Sequence, residues 1–164
     1  MKLEFPAGAL RPIGSEQMAR ARAEAARSPR RRAIVRFHEH HEAVQRMLNA
    51  VEPDSYVRPH CHLNPDKTEA FVVLSGRAVM VRWSEDGELL DQLAISADGP
   101  LRGVEIPPGV WHSFVSLEPG TVLYETLEGP FSPGTHKRYA AWAPDEGSEA
   151  GRRFHEALRA RLGA

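Results

Sequence analysis

A chain of 164 residues with a formal net charge of −1 is long enough to bury one substantial core and too short for two domains. The near-neutral balance, with 26% charged residues, gives neither nucleic acid nor a membrane surface a claim as partner, and no apolar run approaches the roughly 20 residues a bilayer span needs. A single cysteine rules out an internal disulfide, and the Met1-Lys2-Leu3-Glu4-Phe5-Pro6 start lacks the apolar core of a signal peptide, so a reducing cytoplasm is the expected compartment.

Taken in order, the chain divides into an arm and helix over 1–32, a β-region over 33–130 and a tail with a helix over 131–164, all within one domain. Pro6, Gly8, Pro12 and Gly14 keep the first residues extended. Ser15 is expected to cap a helix running to about Arg27, with Glu16 at its positive end and Pro29 as its stop. The Arg30-Arg31-Arg32 run after it reads as solvated.

From Ala33 the apolar pattern changes to period two. Expected strands are Ala33 to Phe37, Val44 to Val51, Tyr56 to His62, Glu69 to Leu74, Arg77 to Trp83, Glu88 to Ile95, Gly103 to Ile106, Trp111 to Leu117 and Thr121 to Leu127. Turn residues separate them and no helix intervenes, which predicts an all-β antiparallel sandwich or barrel. Beyond Gly129-Pro130, Phe131, Tyr139 and Trp142 are expected to pack over one barrel end. Ser148 then caps a helix to about Leu162, whose Phe154, Leu158 and Leu162 form one docking face.

The chemistry concentrates in two stretches. In Tyr56-Val-Arg-Pro-His60-Cys61-His62, strand alternation sends His60 and His62 to one face and Cys61 to the other. Glu69 opens the next strand after a polar turn, and Ile106-Pro107-Pro-Gly109-Val-Trp-His112 brings a third imidazole from a distant segment. A lone histidine on a strand is ordinary; this joint pattern is much rarer than its parts. Three neutral imidazoles and a carboxylate suit one divalent transition metal such as Fe, Zn, Mn or Ni, leaving about one net positive charge to acidify water or hold an anion.

Around that centre, Tyr56 and Arg58 share the parity of the two histidines, and Arg58 is the first candidate to bind an anionic group, with a rim salt bridge as its plainer role. Glu105 and Glu125 are candidate general acids or bases if their register turns them inward. Lys67 lies in the ligand loop, where a lysine is usually solvated. One of Gln45 and Arg46 must face the interior. His38, His40 and His41 are expected at solvent or the cavity mouth, and His136 and His155 in packing or surface roles.

Taken together, His60, His62, Glu69 and Gly76, followed by Pro107, Gly109 and His112, resemble the two motifs of the cupin superfamily. The loop from His62 to Glu69 is longer than usual there, which leaves the reach of Glu69 for the structure to decide. Through Phe37-His38, Glu42-Ala-Val-Gln-Arg-Met, Tyr56 to His62, Gly103-Val-Glu-Ile-Pro-Pro, Trp111-His-Ser, Glu128-Gly-Pro-Phe and Ala141-Trp-Ala-Pro, the chain also resembles the WbuC-type cupin metalloproteins, bacterial proteins often found with O-antigen genes. The resemblance implies a jelly-roll (double-stranded β-helix) cupin barrel with short terminal helices, and a homodimer joined through the N-terminal arm or last helix. The resemblance records a metal and a fold, not a reaction; the candidate residues around the metal point to a metal-dependent enzyme, of isomerase, epimerase or lyase type, acting on a small polar or anionic metabolite such as a sugar or nucleotide-sugar of surface-polysaccharide metabolism. A non-catalytic metal or small-ligand binding module and an Fe(II) dioxygenase are the alternatives.

Overall fold

The computed structural model describes residues 1–163. Helix α1 (Ser15–Arg27) precedes ten strands: β1 (Arg32–Arg36), β2 (Val44–Val51), β3 (His60–Cys61), β4 (Glu69–Ser75), β5 (Arg77–Trp83), β6 (Leu89–Ser96), β7 (Gly103–Ile106), β8 (His112–Ser116), β9 (Thr121–Glu128) and β10 (Arg138–Tyr139); α2 (Glu149–Leu162) closes the chain. The strands form two antiparallel five-stranded sheets, ordered β1-β2-β9-β4-β7 and β10-β3-β8-β5-β6. The result is the expected cupin jelly roll, with two short helices.

Alternation along each strand serves two cores. On β5, Ala78 and Met80 point between the sheets with Val51, Phe71, Val73, Phe114 and Leu123. Val79, Val81 and Trp83 point outward, where Leu158, Phe154 and Leu162 of α2 cover them. The other sheet repeats the arrangement: Val35, Leu48, Ala50 and Val122 face Ala21 and Ala25 of α1. Strands covered on both faces read as near-continuous apolar runs, as β5 does. Small alanines let α1 lie close to its sheet, so this helix buries more than its composition suggests.

The two helix starts differ. Ser148 caps α2 as expected, its hydroxyl accepting from the Gly151 N–H at 2.9 Å. At α1 the cap residue is Gly14, and Ser15 is the first helical residue; the Gly14 N–H donates instead to the Gln17 side chain at 3.1 Å. Tyr56 to His62 also departs from expectation, since only His60 and Cys61 join a ladder. Gly76 turns the chain between β4 and β5 at φ +80°, where a Cβ would lie 2.5 Å from Thr121 Oγ1.

The tail is a structural part of the barrel. Its β10 pairs with β3, setting Tyr139 opposite His60, while the Phe131 N–H donates to the His40 carbonyl at 2.7 Å. Lys67, expected in solvent, is buried and donates to the Pro130 carbonyl at 2.7 Å, tying the ligand loop to the tail. Trp142 lies outside the barrel against Trp83 and Phe154, so of the three tail aromatics only Phe131 and Tyr139 close its open end.

Candidate metal centre

Strand register assembles the cluster. His60 on β3 is opposite His112 on β8, and Glu69 starts β4 on the facing sheet. His60, His62, Glu69 and His112 are all buried, and one ligand atom from each lies within 4.8 Å of the others. Glu69 Oε2 is 2.9 Å from His112 Nε2 and 3.3 Å from His62 Nε2, so the longer loop does not carry the carboxylate away. Donors bound to one ion at about 2.1 Å stand roughly 3 to 4 Å apart, a spacing that small side-chain rotations complete.

The hydrogen bonds around the cluster fit a candidate cation site. The Nδ1 atoms of His60, His62 and His112 face the carbonyl oxygens of Arg58, His136 and Val110 at 2.9, 2.7 and 2.9 Å. A carbonyl only accepts, so each Nδ1 carries the proton, and a neutral ring then presents a bare lone pair at Nε2. All three Nε2 atoms and both Glu69 oxygens are buried without a hydrogen-bond partner. Five acceptors thus converge with no proton among them, a costly arrangement unless a cation fills it or one ring takes a second proton. Burial, then the charge of Lys137, holds His60 well below its ordinary pKa and so neutral. Burial, the largest influence, would raise Glu69; it is held below the ordinary carboxylate value only if His112 or His62 takes a second proton at Nε2 and donates to it, a role that a bound cation would fill instead.

A cavity of about 320 Å³ opens beside His60. Its wall runs along inward-facing residues of one sheet: Arg32, Ile34 and Arg36 on β1, Gln45, Met47 and Asn49 on β2, Glu125 on β9 and Phe71 on β4. Glu125 is buried and accepts from Asn49 Nδ2 at 2.9 Å. Burial first, and the charge of Glu69 second, raise its pKa to about 7. From the tail come Phe131, His136, Lys137 and Tyr139. Burial, then Lys137, pushes the His136 imidazole down to about 3.

The other sequence candidates scatter. Arg58 lines the cavity, yet its guanidinium is already engaged by Asp145 and by the Ala140 carbonyl at 3.3 Å, and it lies 5.1 Å from the Tyr139 ring centre. Tyr56 does not face the cavity: its hydroxyl donates to the Pro144 carbonyl at 3.2 Å and its ring packs on Phe154 of α2, because the segment before His60 leaves the ladder that parity assumed. Glu105 is exposed on edge strand β7, alternating outward beside buried Ile106. His38 is buried in the cavity wall, His40 lines the wall but stays exposed, and His41 is exposed; none belongs to the four-residue group. Gln45 takes the interior position and Arg46 pairs with Glu42.

Asn49 and Lys137 were missed from sequence. Asn49 carried a usable signal, a polar residue within the apolar half of β2. His136 and Lys137 carried none, since an irregular tail has no period to read.

A double-stranded β-helix with three imidazoles and a carboxylate gathered inside it defines a cupin-type fold with a candidate metal centre. The chain belongs to the family described as a domain of unknown function (DUF6016), which it matches over residues 13–95, half its length. No curated protein matches it. Among solved structures it is similar to CapF, the capsular polysaccharide assembling protein from Staphylococcus aureus, at 22% identity and a TM-score of 0.57, covering 68% of this chain and 32% of that one. It is likewise similar to CapF crystallised with the inhibitor 3-isopropenyl-tropolone, at 20% identity and a TM-score of 0.52, covering 65% of this chain and 34% of that one. The chain spans about a third of the CapF length, and the likeness is one of fold.

Proposed function

We propose that the chain is a metal-dependent cupin enzyme that acts on a small polar or anionic metabolite, with His60, His62, Glu69 and His112 holding one divalent transition ion. The observation that carries this is the proton-free convergence of three Nε2 atoms and the Glu69 carboxylate. Such an ion supplies Lewis acidity toward a carbonyl or hydroxyl oxygen. Glu125 moves the proton: its carboxyl lines the same cavity, and burial raises its pKa above the ordinary carboxylate value, toward neutral pH. Asn49 fixes its orientation through the hydrogen bond to Oε2. Lys137 brings positive charge to the entering substrate, while Phe71 and Phe114 exclude water from the floor. This set serves isomerisation, epimerisation or elimination.

The WbuC-type resemblance and the described role of CapF in assembling capsular polysaccharide both support a substrate from surface-polysaccharide metabolism. A cytoplasmic homodimer belongs to the same reading. Since the apolar face of α2 is covered by its own sheet, the N-terminal arm is the better candidate for the contact.

The test is to incubate untagged, metal-loaded protein with cell extract and follow by mass spectrometry which small molecules are converted. Glu125→Gln should keep the metal and abolish the conversion. Conversion that persists in Glu125→Gln, or in protein stripped of metal, would contradict the proposal.

A further inference from the structure

The cations that line the cavity are unequal. Arg30 and Arg32 both end on Glu146 at 2.5 Å, and Arg58 ends on Asp145. Arg36 and Lys137 line the same cavity, and among the described residues neither has a carboxylate at ion-pair distance. Glu39, the acid nearest Arg36 along the chain, is held by Lys2. Of the side-chain cations in the lining, Arg36 and Lys137 are therefore the ones without an ion-pair partner.

Their positions set a length. Register places Arg36 opposite Met47, Met47 opposite Glu125 and Glu125 opposite Phe71, one row across four strands. Arg36 thus stands two strand spacings from Glu125, roughly 10 Å. It is half-buried and turned inward, because its neighbour Val35 faces α1. Lys137 sits at the opposite end, where its charge is felt at His60, Glu69 and Glu125. Ile34, Met47, Val57 and Phe114 give the wall an apolar part beside the polar His38, Gln45 and Asn49.

We infer that the cavity selects a metabolite the size of a monosaccharide, with oxygen functions beside His60, Glu125 and Lys137 and an anionic group, phosphate or carboxylate, reaching Arg36, whose backbone stands roughly 10 Å from that of Glu125. This rests on the metal-dependent reading of the inner end and adds the far one. A neutral sugar leaves Arg36 without its counter-charge. Arginine suits the outer position because its fork pairs two oxygens at once.

Titration calorimetry of metal-loaded protein with D-glucose 6-phosphate, D-glucuronate and D-glucose tests the inference, with metal content measured on every sample. At least one acid should bind the wild type, and D-glucose should bind at least about tenfold more weakly. Whichever acid binds tighter identifies the anionic group. Arg36→Gln should weaken the acid by about tenfold and leave metal content unchanged, Arg36→Lys should restore much of the loss, and Arg82→Ala, a surface change, should alter nothing. The inference is overturned if neither acid binds the wild type, if D-glucose binds equally well, or if Arg36→Gln binds the acid as tightly as wild type does. Arg36-dependent acid binding in protein that takes up no metal would sink the metal reading and leave the anion site standing; metal-replete protein indifferent to Arg36 would do the reverse.

Discussion

Asn49 and Glu125 meet between the sheets, the Asn49 amide donating to Glu125 Oε2 at 2.9 Å while Glu125 stays buried beside ionised Glu69. The carboxyl therefore holds its proton to about pH 7 in the folded, metal-free protein, against 4.5 ordinarily. Across that window the native state binds more protons than the unfolded state, so stability falls as pH rises from 4.5 to about 7. The total is roughly 3 kcal/mol. Glu125→Gln should remove the decline, measured as the difference between the two denaturation curves in chelator at each pH. Identical pH slopes in the two proteins would contradict the assignment. Loading with metal should shift the wild-type decline to lower pH, since a cation beside Glu125 favours its ionised form.

Glu146 carries the opposite sign. Burial alone would raise its pKa, but hydrogen bonds and charge from Arg30 and Arg32 hold it below 4.5. The stability it contributes is present above that value and is lost as pH falls through the depressed pKa. Glu146→Gln should cost roughly 1 kcal/mol at neutral pH, with the difference from wild type vanishing in acid. A variant equally stable at neutral pH would show that these ion pairs contribute nothing.

At Gly76 the backbone sits at φ +80° and a Cβ would meet Thr121 Oγ1 at 2.5 Å. Gly76→Ala should destabilise by roughly 2 kcal/mol, from strain and overlap together. Chemical denaturation measures this, and a loss well under half that figure would mean the β4–β5 turn adapts freely.

Leu158 is the most buried apolar residue of α2, packed on Val79, Val81 and Val115. Leu158→Ala should cost about 2–4 kcal/mol, while Ser148→Ala should cost about 1 kcal/mol through loss of the cap. Both variants should retain metal, because α2 lies outside the sheet that carries His60 and His112. Metal loss in folded Leu158→Ala protein would contradict that separation.

Period-two patterning located the expected strands of the barrel to within a few residues, apart from the segment before His60. His60, His62 and His112 were legible because the family motifs and strand parity agree on them, whereas the longer loop left Glu69 open until the β4 register placed it. Parity failed at Tyr56, where the chain is extended but unpaired, and a free segment can rotate its side chains. It left Glu125 and Glu105 undecided, since one residue of register exchanges inside for outside; the β9 pairing turns Glu125 in, and edge strand β7 turns Glu105 out. The tail was the least legible part. His136 and Lys137 reach the site only because β10 pairs with β3, a two-residue ladder with no sequence signature.

Elemental analysis of untagged protein, as purified and after reloading with Fe, Zn, Mn or Ni, tests the central claim most directly. The account predicts about one equivalent of a divalent transition metal per chain, with both His60→Ala and His112→Ala abolishing uptake while the barrel stays folded by circular dichroism. Wild-type protein that takes up none of these metals, or His112→Ala protein that binds as much as wild type, would contradict it.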